Sequence, residues 1–291
     1  MKKVFFLLML IFLSAEGYQL LAASPDSLDH YQLEEVVVSA TRAGVNTPVS
    51  FSNISLTDIR KENAARNIPA ILQTTPSLVS FTEDGLGVGN THFRIRGTDA
   101  TRINVTLNGM PLNNPETQEV FWVNLPDLSN SLQNIQIQRG VGTSTNGSAA
   151  FGASISLQTR GASSEAYGEA STAVGSYGTF LSNIATGIGI LNHGLSLDAR
   201  FSRVLGEGYI KNGSVNHTNF YAALSHYTDK QLIRLSYLKG IQHTGITWEG
   251  ISPEQMEEFG RRYNPAGVYY DDAGNKLIYD KLNIKVTSNT V

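Results

Sequence analysis

Asn134–Gly161 reads NIQIQRGVGTSTNGSAAFGASISLQTRG, and its pattern decides the fold. Ile135 and Ile137 alternate with Gln136 and Gln138, the two-residue period of a half-buried strand. Arg139–Gly140 ends that strand. A run of Gly, Ser, Thr, Asn and Ala follows as far as Gly152, small and permissive enough for a loop packed closely against a neighbour. Ala153–Thr159 then alternates again, with Ile155 and Leu157 on one face. From Gly161 onward the composition changes, so this stretch is the junction between two architectures.

Upstream of the junction, Pro48–Arg160 mixes short helices and strands. Asn67 caps a predicted helix that has Pro69 near its start, passes through Ile71 and Leu72, and stops near Pro76. Leu78–Thr82, His92–Gly97 and Arg102–Leu107 read as strands, Asn108–Gly109 as a turn, and Leu125–Gln138 as a helical turn feeding a strand. Together they predict a small α+β domain with a sheet of about four strands.

Downstream the helical pattern gives way to alternation. Leu195, Leu197, Ala199 and Phe201 oppose Ser196, Asp198, Arg200 and Ser202, and Ile233, Leu235 and Tyr237 oppose Arg234 and Ser236. That is the apolar-out, polar-in dyad of a transmembrane barrel strand. Glu165–Val174, Phe180–Ile188 and Asn219–Tyr227 alternate less sharply, giving about five strands. Their connections are short at Asn192–Gly194 and Thr228–Lys230 and long at Gly206–Asn216 and Gly240–Ile278, as periplasmic turns and external loops would be; Gly175–Thr179 is short where a long loop is due. Inside the last loop, Ser252–Gln255 is a capping box with Pro253 at the first helical position, predicting a short helix ending near Gly260. Asp271–Asn275 reads as a turn, since it lacks the ligand spacing of a calcium loop.

The N-terminus carries an address. Lys2 and Lys3 precede the apolar run Val4–Leu13 and small residues up to Ala23. Ten apolar residues are too few for a bilayer that needs roughly 20, so 1–23 is a predicted secretory signal peptide and 24–47 a flexible N-terminus. Within it, Leu33–Arg42 reads LEEVVVSATR, whose three valines favour an extended backbone. Such a segment either adds to the sheet edge of a partner protein or forms the first strand of the following domain.

Other chemistry is excluded by what is missing. The 291 residues are 41% hydrophobic and 16% charged, with a net charge of −3 and dispersed basic residues, which gives no nucleic-acid footprint. Without cysteine there is no disulfide, thiolate metal site or cysteine nucleophile. Gly85–Gly89 lacks the spacing of a phosphate loop and reads as a mobile surface loop, and neither a Gly-x-Ser-x-Gly elbow nor a His-Glu-x-x-His pair occurs. We expect no enzyme, cofactor or metal site.

Three motifs in order, FRIRGTD, VTLNGMPL and IQIQRG, resemble the plug domain of TonB-dependent outer-membrane receptors, and LEEVVVSATR resembles their TonB box. The resemblance implies an α+β plug at 48–161, followed at 162–291 by the start of an antiparallel transmembrane β-barrel, incomplete at about five strands. It implies localisation in the outer membrane, with the barrel-assembly machinery and the TonB C-terminal domain as partners. Glu35, Val36, Val37 and Val38 would bind TonB. Arg96 and Arg139 would pair with glutamates of the barrel wall, and Thr98, Asp99, Asn113, Asn114 and Glu116 would face the ligand from plug loops. That ligand would be a ferric siderophore, cobalamin or an oligosaccharide. Receptor barrels of this class have about 22 strands, so the expectation is a truncated product whose open edges prevent stable insertion of a monomer. The alternative is a periplasmic plug-only binding protein or a non-functional fragment.

Overall fold

A computed structural model describes residues 42–44, 47–63, 65–141, 150–266, 268–270, 272–278 and 283–290. The predicted signal peptide and the segment Glu35–Val38 lie outside the described residues.

The junction strands form as their alternation requires. β6 (Leu132–Arg139) and β7 (Ala153–Thr159) pair antiparallel, with Ile135 opposite Leu157 and Ile137 opposite Ile155. All four side chains are fully buried, each contributing about 1.5–3 kcal/mol relative to exposure. β7 also pairs parallel with β4 (Ile103–Leu107), and β4 carries the two-residue strand β5 (Met110–Pro111) on its other side. β1 (Ser50–Ser55) pairs with β6, so the sheet has five strands in the order β1-β6-β7-β4-β5, rather than about four. The two strands not expected, β1 and β5, form its two edges, and neither has an apolar alternation for a pattern search to find. β2 (Leu78–Thr82) and β3 (Thr91–Ile95) stand apart as a two-stranded ribbon.

Two helices close the core. Ser55 and Asp58 form a reciprocal capping box that starts α1 (Leu56–Glu62), and Ile59 points into the interior. α2 (Ile68–Ile71) begins with Pro69 in its first turn and is buried along its whole length. The core cluster then joins Ile59, Ile68 and Leu72 to Phe93, Trp122 and the four junction side chains.

Beyond the junction lies a six-stranded sheet of antiparallel pairs, in the order β15-β12-β11-β10-β9-β8. Its strands are β8 (Tyr167–Val174), β9 (Phe180–Gly187), β10 (Leu195–Gly206), β11 (Val215–Tyr227), β12 (Leu232–Gly245) and β15 (Asn283–Thr290). All five predicted strands are present. The sixth, β15, returns to β12 across a long connection holding α3 (Pro253–Phe259) and the hairpin β13 (Val268–Tyr270) and β14 (Lys276–Ile278). The predicted capping box at Ser252 and Gln255 is in place, and Gly260 ends the helix. Among the described residues the sheet does not close on itself, and β8 and β15 are its edges.

This sheet is inverted relative to a soluble protein. Along β10, Leu195, Leu197 and Phe201 are exposed while Ser196, Arg200 and Ser202 are buried. β11 repeats the pattern, with Phe220 and Leu224 outward and His217, Asn219 and Ser225 inward. Polar side chains are buried because this face lies against the α+β domain.

Candidate functional site

The contact between the α+β domain and the sheet is centred on Arg200. From the middle of β10 its guanidinium donates to the Asp127 carboxylate at 2.7 Å, to the Asp127 carbonyl at 3.0 Å and to Ser131 Oγ at 2.8 Å. It also donates to Asn183 Oδ1, Ser202 Oγ and Asn219 Oδ1 within the sheet. Arg200 and Asp127 are only 4% and 1% exposed at their side chains. A buried charge pair of this kind needs its remaining donors satisfied, and the six hydrogen bonds supply that. Asp127 reaches the position through a left-handed backbone, φ +51°, in the turn before the short 3-10 helix Leu128–Ser131.

Further contacts surround this ion pair. Gly240 of β12 sits where an added Cβ would lie 2.8 Å from Pro126 Cδ and 2.9 Å from the Asn124 carbonyl, so the backbone of the sheet touches the domain there. Gln242 donates to Asn124 Oδ1. At the junction, the Ala162 N–H donates to the Tyr227 hydroxyl. Arg60 of α1 and Arg160 both pair with Glu169 of β8, at 3.0 and 2.9 Å.

A third contact involves Gly85–Gly89, which is no free surface loop. The buried Asp84 carboxylate accepts the N–H groups of Leu86, Gly87, Val88 and Gly89, and Asn67 donates to the carbonyls of Val88 and Gly89. Four donors converging on one carboxylate fold the loop tightly. The Asp84 carbonyl in turn accepts from Tyr209 and Ile210, in the long connection between β10 and β11. Tyr209 stacks edge-on against Tyr177 of the turn between β8 and β9, and Arg262 lies over both rings. The glycine loop therefore meets the end of the sheet that bears the long connections.

The predicted site residues are distributed over the α+β domain. Arg139 donates to Ser50 and Ser52 of the edge strand, and Arg96, at φ +50°, lies with Nη1 beside Gly140. Among the described residues neither makes an ion pair; the arginines that meet a glutamate of the sheet are Arg60 and Arg160. Thr98 donates to the Ile95 carbonyl and packs on Gly152, where a Cβ would stand 2.1 Å from its hydroxyl. Asp99 caps the next turn, and the hydrogen bond from the Thr101 hydroxyl holds its carboxyl below the usual range. Asn113 ties its loop to β4 by accepting from Val105 N and donating to the Ile103 carbonyl, and Asn114 accepts from the N–H groups of Glu116 and Thr117. Glu116 is exposed. Arg200 was legible as an inward residue of β10; its partner Asp127 carried no local signal. Among the described residues no group of three or more His, Asp or Glu side chains could hold a metal ion.

Residues 44–154 match the family model of the TonB-dependent Receptor Plug Domain. No curated protein matches the chain. Its solved structural neighbours include the ferric citrate transporter FecA in its unliganded form, at 16% identity and a TM-score of 0.61, covering 74% of this chain and 34% of that one. The ferric yersiniabactin uptake receptor FyuA from Yersinia pestis aligns at 15% identity and a TM-score of 0.56, covering 67% and 32%. The copper transporter OprC aligns at 18% identity and a TM-score of 0.56, covering 69% and 31%. At such identities the likeness shows the fold, and the chain spans between 25% and 34% of the length of such neighbours.

Proposed function

We propose that this chain, which carries the plug domain of a TonB-dependent receptor, acts in energised uptake of a large, scarce solute across the outer membrane. The observation that supports this most is the inverted sheet, whose outward side chains are apolar and whose inward ones are polar and bound to the plug. In water that arrangement exposes an apolar face without benefit, whereas in a bilayer it is the stable one. Closing a wall around the plug requires further strands on the edges of β8 and β15, because open edges are not tolerated in hydrocarbon.

In this reading residues 1–23 direct export and the barrel-assembly machinery receives the strands. The end of the sheet with the long connections faces outward, so ligand meets those connections and the plug loops, with Thr98, Asp99, Asn113, Asn114 and Glu116 as proposed contacts. Arg96 and Arg139 are proposed to meet parts of the wall beyond the described residues. A ferric chelate is the cargo we favour over cobalamin or an oligosaccharide, because FecA and FyuA are named for ferric ligands. The segment Glu35–Val38 adds to the sheet edge of the TonB C-terminal domain. Calorimetric titration of the mature chain with that domain tests this step. Val37→Pro removes a main-chain donor and abolishes binding; an unchanged affinity would refute the assignment.

A further inference from the structure

Three residues separate that segment from Arg42 and Ala43, which are fastened to the middle of the plug sheet. Arg42 donates through Nε to Ser156 Oγ at 3.1 Å, through Nη2 to the Ser156 carbonyl at 2.9 Å, and through Nη1 to Asn134 Oδ1. Ala43 and Gln136 exchange two bonds: the Ala43 N–H donates to Gln136 Oε1 at 2.8 Å, and Gln136 Nε2 donates to the Ala43 carbonyl at 3.0 Å. The side-chain amide of Gln136 thus stands in for the peptide group of a neighbouring strand. It is buried, and its remaining bonds go to Asn53 of β1 and Gln138 of β6. The partners of this fastening are 92 to 114 residues away in sequence.

We propose that Arg42 and Gln136 form a clasp that passes a pull on the N-terminal segment directly to the central strands β6 and β7. The inference rests on the TonB-binding role proposed for Glu35–Val38. Without the clasp, a pull would run along the backbone through 44–49 to Ser50 and reach β1, which is an edge strand held on one side only. An edge strand pulled from its end peels away bond by bond. With the clasp, five hydrogen bonds to two interior strands carry the load together, and the pull reaches the buried core pair Ile137–Ile155 before it reaches β1. Arg42 suits this task because its rigid planar fork is pre-organised to hold several acceptors in one fixed geometry, whereas the donors of a lysine rotate on a flexible stem.

The test uses the mature chain, which lacks cysteine, with Glu34→Cys and Glu116→Cys as handles for single-molecule pulling. With Arg42 intact, the first rupture disrupts β6 and β7. In Arg42→Ala, and independently in Gln136→Leu, the first event comes at lower force and releases only the residues up to Ser55. Arg42→Lys behaves like Arg42→Ala. Amide exchange supplies a load-free measurement: in Arg42→Ala the Ala43 amide exchanges at least about tenfold faster, as for a lost bond to a charged group, while Ile137 and Ile155 are unchanged. A first rupture of equal force and length in wild type and Arg42→Ala, or an unchanged Ala43 amide, would overturn the proposal. Failure of the unmodified chain to bind the TonB C-terminal domain would instead overturn the proposed function and leave the clasp measurements standing.

Discussion

The ion pair between Arg200 and Asp127 makes a quantitative prediction about what holds the α+β domain to the six-stranded sheet. Asp127→Asn keeps the shape of the side chain and tolerates the left-handed backbone at φ +51°, but it removes the charge opposing Arg200. The guanidinium then remains buried, with its bonds to Ser131, Asn183, Ser202 and Asn219 and no counter-charge. Removing one member of a buried pair costs about 3–5 kcal/mol, whereas exchanging both for neutral groups costs far less. We therefore expect Asp127→Asn and Arg200→Met each to destabilise the micelle-solubilised chain by about 3–5 kcal/mol. The double variant should lose less than either single variant, so that the two effects fall well short of adding. Denaturant titration followed by tryptophan fluorescence reports the transition, since Trp122 is buried in the plug core. Strict additivity, or a single-variant loss below about 1 kcal/mol, the size of an exposed pair, would show that the plug is held by other contacts.

Three further outcomes follow from the same geometry. Gly152→Ala places a methyl group 2.1 Å from the Thr98 hydroxyl and should cost about 1–3 kcal/mol by overpacking, measured by the same titration; a neutral effect would mean the loop yields freely. Gly240→Ala drives a methyl group against Pro126 and the Asn124 carbonyl, so amide protection should fall in 122–127 while the Asp84 loop keeps its own; uniform loss or no loss would contradict it. Burial pushes the Glu83 carboxyl up, but hydrogen bonds from His92 and Asn90 outweigh it and hold the group below its ordinary 4.5. Because the folded value is the lower one, the stabilisation is present above pH 4.5 and lost as pH falls through the depressed value. Glu83→Gln should remove that part of the acid-side decline in melting temperature, and an identical profile in both proteins would refute the role.

The parts legible in sequence were those that local periodicity encodes. The alternation of Ile135, Ile137, Ile155 and Leu157 located the central pair of the plug sheet, and the opposition of Leu197 and Phe201 to Arg200 and Ser202 located the outer sheet and its facing. β1 escaped because an edge strand reading SFSNIS buries little, although Ser55 and Asp58 spelled the capping box that follows it. β15 was missed although Ile284 and Val286 alternate with Lys285 and Thr287, because its partner β12 lies beyond a long connection. The contacts between plug and sheet were out of reach for a different reason. Asp127 meets Arg200 across 73 residues, and Asp84 acquires its four donors only when the glycine loop folds around it. Pairings of this kind are set by topology, which periodicity does not specify.

The central claim is that the outer sheet faces hydrocarbon with its apolar side and the plug with its polar side. Since the chain lacks cysteine, single cysteines at Leu197, Leu235 and Ser225 can each carry a fluorophore in micelles that contain brominated lipid. The account predicts strong quenching at positions 197 and 235, whose side chains point outward, and little at 225, which is 1% exposed on the plug side. Equal quenching at all three positions, or stronger quenching at 225, would contradict it.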